Sequence, residues 1–439
     1  MTGKLLVVAV VALAVRLAAV IPLHTAGQTS DEKEYVVLAQ KVAAGEDFVD
    51  SNGEYSIRYP LYPYLLAALI KVFGDSRWVM YLVNALMSAL VPVLCAFLAR
   101  SIWADKTVAL ASAWAAALYP GLVVYGAVLQ TESLYLVLFL AALLLAVRLA
   151  ERPGLRNAIA LGIAGGLAAL ARAVFLGFFP ILLALFLVMR RRDGGQAGWR
   201  WTGVAAVVFL LVLVPWTWRN YLIHGTLIPI SSLGGHLVLI GNNPYATGTW
   251  STLPGFERWY RDELRKNGIS EPDSLTEVER GRIAARVGID YMVAHPLEVA
   301  GRVITKAHIF WFYPITNSDS NLPLQGVAVM ADVLLYLAAV LGMVRMRNAG
   351  GRLVPVIGAM VFFAVLALVL HAEARYRLPL MPLICMFAGW TALPAMGEDD
   401  WRRLLLDGSR FRWGVAGAVA IIMVYAVTGW MVLTGSIAH

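Results

Sequence analysis

Eleven apolar runs, most of them about 20 residues long, recur along this chain, and no other feature constrains its fold as strongly. A helix of that length crosses the hydrocarbon core of a bilayer. Inside that core every backbone N–H and C=O must find its partner within the protein. The runs fall at 4–23, 78–102, 107–124, 127–149, 156–171, 173–189, 201–217, 322–344, 353–370, 378–396 and 413–433. They predict an all-α polytopic membrane protein, in keeping with a mean hydropathy of +0.70 and only 15% charged residues.

The charges set the expected orientation. Arg100, Lys106, Arg148, Arg152, Arg156, Arg190, Arg191, Arg192, Arg200, Arg345, Arg347, Arg352, Arg402, Arg403, Arg410 and Arg412 fall in short connections on one side. The positive-inside rule makes that side cytoplasmic, together with Lys4, so the N-terminus is expected inside and His439 outside. The first run lacks a small-residue cleavage site and reads as a retained helix. A net charge of +8 is then accounted for by loops facing anionic headgroups, and no nucleic-acid partner is expected. Cys95 and Cys385 lie within apolar runs without ligand spacing and report packing alone. The cytoplasmic side has neither a GxxxxGK[ST] loop nor a strand followed by GxGxxG, and the acids Glu398, Asp399 and Asp400 read as a solvated loop. Three modules are expected: a transmembrane module over 1–217 that includes a first outer loop at 24–77, an outer cap over 218–321, and a second transmembrane module over 322–439.

Chemistry is therefore sought in the outer segments. In "DEKEYVVLAQKVAAGEDF", Tyr35, Val36, Leu38, Ala39, Val42 and Ala43 recur at helical spacing, predicting an amphipathic helix from Asp31 to its stop at Gly45. Asp31 reads equally as a helix cap paired with Glu34 or as a reactive carboxylate; Thr29 and Glu32 offer a second capping pair. Arg58 precedes a stiff turn, Tyr59-Pro60-Leu61-Tyr62-Pro63, and is either a held cation or a snorkelling side chain. Glu132 lies about a turn and a half into the fourth run, where an ionised carboxylate needs a partner or a water-filled cavity. "LHAEARYRLPLMP" brings His371, Glu373, Arg375, Tyr376 and Arg377 to a short outer loop, where the positive-inside rule disfavours arginine. Guanidinium forks suit phosphate oxygens. In the long loop, helices are expected over 256–267, 275–294 and onward from Pro296, while Asn242 and Asn243 serve either a turn or a sugar contact. Glu132, His236 and His371 are the candidate metal ligands, but no HExxH-type spacing joins them and no cofactor is expected.

Taken in order, "DEKEYVVLAQKVAAGEDF", "RYPLYPYLLAALIKVFG", "TESLYLVLFLAALLLA", "GNNPYATGTW" and "EARYRLPLMPLI" resemble bacterial membrane glycosyltransferases with the GT-C fold. The likeness is to the branch containing protein O-mannosyltransferases and lipid A aminoarabinose transferases. The resemblance implies a bundle of about 11 transmembrane helices with periplasmic amphipathic helices and a small periplasmic cap, set in the bacterial cytoplasmic membrane. It also implies a polyprenyl-phosphate sugar donor of the undecaprenyl type and transfer at the outer face. Asp31 matches the family's first-loop acid, Glu32 its acidic neighbour, Arg58 the basic residue before the proline-rich turn, and Arg375 and Arg377 the late basic pair. Tyr59, Tyr62, Glu132, Asn242, Asn243, His371, Glu373 and Tyr376 are the further residues expected to contact substrate. The acceptor, whether lipid, glycan or protein, is not carried over. The chemistry itself needs a base for the acceptor proton and cations for the departing phosphate, and a single displacement inverts the anomeric carbon. Two other readings compete: a flippase or transporter, for which Arg16 and Asp332 are the main deep charges, and an outer-face polymerase or ligase of lipid-linked glycans.

Overall fold

Apolar segments pair their backbone groups internally by forming helices, and no strand forms among the described residues, only an isolated bridge between Ala246 and Thr252. The computed structural model describes residues 1–25, 29–192, 198–269, 275–315, 322–346 and 349–393. Its helices are α1 (Thr2–Thr25), α2 (Ser30–Ala44), α3 (Leu61–Phe73), α4 (Arg77–Trp103), α5 (Lys106–Leu118), α6 (Pro120–Gly126), α7 (Glu132–Glu151), α8 (Leu155–Ala171) and α9 (Val174–Arg192). They continue with α10 (Gly198–His224), α11 (Gly234–Gly241), α12 (Phe256–Lys266), α13 (Glu277–Ala294), α14 (Pro296–Phe312), α15 (Leu322–Arg345), α16 (Val354–Val369) and α17 (Met381–Ala388).

Among the described residues α1, α4, α7, α10, α15, and α16 taken with the 3-10 turn that leads into it (Gly350–Val369), are long and apolar enough to cross a membrane. The pair α5 and α6, bent by 58°, makes a seventh, and α3, α8 and α9 are shorter apolar helices. Several of the eleven expected runs take a different form, for local reasons. The run at 107–124 breaks because Tyr119, forced toward extended backbone by Pro120, sits at φ −63°, ψ 121°. The run at 378–396 holds Pro379 and Pro382, which cannot donate backbone hydrogen bonds, and becomes α17 between two 3-10 turns. The run at 127–149 starts its helix only at Glu132, which is therefore the first residue of α7 and not a turn and a half inside it. The run at 413–433, the acids Glu398 to Asp400, the arginines Arg347, Arg402, Arg403, Arg410 and Arg412, and His439 lie outside the described residues.

Close helix approach depends on small residues, as it does in lipid generally. A Cβ on Gly162 of α8 would sit 2.6 Å from the Ala205 carbonyl of α10, and one on Gly166 would sit 2.6 Å from Val212 Cβ. Large side chains such as Leu6, Val207, Leu211, Leu334 and Val361 face outward, the apolar exterior a bilayer requires. At one end of the bundle the amphipathic α2 lays Tyr35, Val36 and Ala39 against Tyr62, Leu66, Met80 and Tyr81 of α3 and α4. The loop that follows α2 is tied to later elements: Glu277 of α13 accepts hydrogen bonds from the backbone N–H of Tyr55 (2.8 Å) and Ser56 (3.1 Å), and Arg219 of α10 donates to the Tyr55 and Phe48 carbonyls. These ties fix Arg58 relative to the bundle.

Candidate active site

Where α2, the turn before α3, the start of α7, the junction of α8 and α9, α11 and the segment after α16 meet, they enclose a cavity of about 560 Å³. The N-cap of α2 is Thr29, whose hydroxyl accepts from the Glu32 N–H at 3.2 Å. Asp31 is therefore spared the capping role, and its carboxylate turns to two cations. Arg58 Nη1 donates to Oδ1 at 2.8 Å, and Arg375 Nη1 donates to Oδ2 at 2.8 Å. Arg375 Nε also donates to Glu373 at 2.6 Å. Burial alone would raise the pKa of Asp31, but Arg375 and then Arg58 outweigh it and hold the carboxyl below its usual value.

A second charged centre stands beside the first. Arg172, in the junction after α8, donates to Glu132 at 2.7 Å, and the helix N-terminus of α7 adds a favourable dipole for that carboxylate. The Arg172 guanidinium lies 5.9 Å from the ring centroids of both Tyr135 and Tyr376, and the Arg375 guanidinium lies 5.8 Å from that of Tyr376. The Tyr376 hydroxyl is 2.9 Å from His371 Nε2. Burial, with the nearby Arg375 and Lys306 cations, pushes the His371 pKa down to about 4, so its imidazole is neutral at pH 7.

Native proteins rarely leave buried polar atoms unpaired, and each such atom asks for an explanation. Five lie on residues lining this cavity: Arg58 Nε, Gln130 Oε1, Tyr135 Oη, His236 Nδ1 and His371 Nδ1. A polar ligand with both donors and acceptors would satisfy them.

Of the residues expected from sequence, Asp31, Arg58, Tyr59, Glu132, His371, Glu373, Arg375 and Tyr376 line the cavity. Five others lie elsewhere. The Glu32 carboxylate is buried against the Tyr81 hydroxyl, and burial raises its pKa. Tyr62 is buried and donates to Asn84 at 3.2 Å. Asn242 donates to the Val238 and Val369 carbonyls and accepts from Lys306, tying the end of α11 to α16 and α14, whereas Asn243 donates to the Leu239 and Ile240 carbonyls and accepts from the Tyr245 N–H, serving the local turn. Arg377 is fully buried, paired with Asp332 and donating to the Phe310 carbonyl at 2.9 Å. Sequence reasoning missed Arg172. Its signal was available: an arginine between two apolar runs on the side where the positive-inside rule disfavours one. Gln130 and Tyr135 were also missed, because neither residue type is unusual beside an apolar run. Among the described residues no group of three or more His, Cys, Asp or Glu side chains is placed to hold a metal ion.

Residues 58–218 match the profile of the family described as dolichyl-phosphate-mannose-protein mannosyltransferase. No curated protein matches the chain by sequence. Among solved structures it is similar to ArnT from Cupriavidus metallidurans, crystallised with undecaprenyl phosphate, at 17% identity and a TM-score of 0.52, over 98% of this chain and 72% of ArnT. It is also similar to the apo oligosaccharyltransferase of Archaeoglobus fulgidus, at 14% identity and a TM-score of 0.57, over 97% of this chain. The chain spans 55% of that enzyme's length. The architecture that these comparisons share with the helices described above is that of a multi-pass membrane protein with the GT-C glycosyltransferase fold.

Proposed function

We propose that the chain transfers a sugar from a polyprenyl-phosphate donor to an acceptor at the outer face of the cytoplasmic membrane, with inversion at the anomeric carbon. The observation that carries this reading is the convergence of Arg58 and Arg375 on the two oxygens of Asp31 within the cavity. Arg58 and Arg375 bind the donor phosphate; each guanidinium has five N–H donors, and their bonds to carboxylates use one and two of them. The acceptor hydroxyl attacks the anomeric carbon as the bond from that carbon to the phosphate oxygen breaks. The electron pair leaves with the polyprenyl phosphate, whose added charge the two guanidinium groups stabilise. Asp31 takes the acceptor proton.

A carboxylate held by two cations is a weak base. Donor phosphate competes for the same guanidinium groups, so its arrival loosens Asp31 and raises its basicity when the base is needed. Glu32 and Arg377, buried in other contacts, take no part. The undecaprenyl phosphate in the ArnT crystal structure supports the choice of donor lipid. The transporter reading loses its deep charges to internal partners: Arg16 donates to Ser88 and to the Ala12 and Ala117 carbonyls, and Asp332 pairs with Arg377. Because Asp31 and Glu132 are each held by a guanidinium, transfer is expected to proceed without an added divalent cation.

Proteoliposomes test the reading. Sugar should pass from a polyprenyl-phosphate donor, not from a nucleotide sugar, and the product should carry the inverted anomeric configuration. Cysteine labels at Asn52 should react from outside in intact cells. Transfer from nucleotide sugars, or Asn52 facing the cytoplasm, would overturn it.

A further inference from the structure

In the proposed function the second charged centre takes no part in holding phosphate or moving the acceptor proton, yet it is built into the same cavity. We propose that Gln130, Glu132, Tyr135 and Arg172 form the subsite for the donor's sugar, and that this sugar is a neutral, hydroxyl-rich one. The proposal rests on the donor reading above.

Position comes first. Arg375 and Arg172 lie over the same Tyr376 ring, at 5.8 and 5.9 Å from its centroid. A group attached to a phosphate on Arg58 and Arg375 therefore meets the Arg172–Glu132 pair one aromatic ring away. Gln130 is held by its amide nitrogen, which donates to Thr29 Oγ1 at 2.9 Å, and this leaves Oε1 as an acceptor without a partner. Tyr135, 1% exposed, has a hydroxyl without a partner, and Gln130 is 4% exposed. Both residues line the cavity. Leaving such groups unpaired is costly, and hydroxyls of a bound sugar, each a donor and an acceptor, would pair them.

Charge then selects among sugars. Within these four residues the groups left over are an amide oxygen and a phenol, both neutral. Three of the four carboxylates lining the cavity are held by arginine: Asp31 by Arg58 and Arg375, Glu373 by Arg375, and Glu132 by Arg172; the fourth, Asp50, accepts from the backbone N–H groups of Asn52 (2.9 Å) and Glu54 (2.8 Å) on one oxygen. Among the four subsite residues the sole carboxylate an ammonium on the sugar would meet is Glu132, which Arg172 already holds. A carboxylate on the sugar would join four acidic residues facing three arginines.

Binding of the purified protein to two probe classes separates the subsite from the phosphate site. The probes are bare undecaprenyl phosphate and undecaprenyl phosphate carrying glucose, mannose or galactose, with aminoarabinosyl and glucuronyl lipids as charged counterparts. Wild type should bind at least one neutral hexosyl lipid more tightly than the bare lipid and more tightly than either charged counterpart. Tyr135→Phe, which keeps the ring, and Gln130→Ala should each weaken hexosyl-lipid binding about three- to tenfold while leaving bare-lipid binding within about twofold. Equal losses with both lipids, or tighter binding of a charged sugar, would overturn the subsite while leaving the phosphate site standing. Failure of wild type to bind bare undecaprenyl phosphate would overturn the donor reading and the subsite with it.

Discussion

Arg375 and Arg377 stand two residues apart, each paired with an aspartate, and their surroundings differ completely. In the pair of Arg375 with Asp31 the side chains are 26% and 24% exposed, within a cavity; in the pair of Arg377 with Asp332 they are 0% and 1% exposed. The 3-10 helix Ala374–Leu380 explains the divergence: at three residues per turn, a step of two swings the side chain through about 240° and sends one arginine to the cavity and the other into the core. Partner chemistry alone does not distinguish a reactive centre from a structural one. A partly exposed pair can exchange its carboxylate for a ligand, whereas a buried pair has already lost its water and depends on its partner.

The largest expected effect lies at the exposed centre. Asp31→Asn keeps the shape but cannot accept a proton, so transfer should fall by about 10²–10⁴-fold with little change in Tm, measured with polyprenyl-phosphate sugar in proteoliposomes. Near wild-type turnover would leave Asp31 as a structural carboxylate like Asp332.

The two arginines should then separate. Arg377→Ala removes the cation facing Asp332 in the core, leaving the Tyr119 hydroxyl still on that carboxylate, and should cost about 3–5 kcal/mol of stability, read as a fall in Tm and in yield. Arg375→Ala should hardly move Tm but weaken undecaprenyl phosphate binding by about 10- to 100-fold, the loss of a charge-assisted contact, with Arg375→Lys recovering part of it. If both variants lose stability equally, the contrast between the two centres fails.

Much of this was legible in the sequence, and the remainder failed for identifiable reasons. Helical periodicity and the glycine stop placed α2 almost to the residue, with Gly45 in the left-handed region at φ 83° closing it. The helices over 256–267, 275–294 and from Pro296 also formed close to where capping and proline signals set them. Local pattern could not decide between Asp31 and Thr29 as the cap, because the deciding contacts come from Arg58 and from Arg375, 344 positions away. Nor could it distinguish Arg375 from Arg377, since both sit in the same outward-reading motif and only the tertiary packing buries one. Glu32 looked like a second reactive acid for the same reason; one residue along a helix turns a side chain by about 100°, here from the cavity to Tyr81.

The smallest effect concerns acid. The pKa of Asp31 in the fold lies below its unfolded value of about 3.9, so the stabilisation from its ion pairs is present above that pH and is lost as the pH falls through the lower folded value. Between pH 5 and 3 (approximate bounds around that value), the Tm of wild type should fall more than that of Asp31→Asn. Parallel curves would mean that the two guanidinium contacts do not hold the carboxylate in solution.

The most direct measurement is a structure of the protein with undecaprenyl phosphate bound in nanodiscs. The phosphate should lie within hydrogen-bonding distance of both Arg58 and Arg375, with Asp31 released from at least one of them and Arg377 still paired with Asp332. A phosphate seated away from Arg58 and Arg375, or at the opposite end of the bundle, would contradict the account.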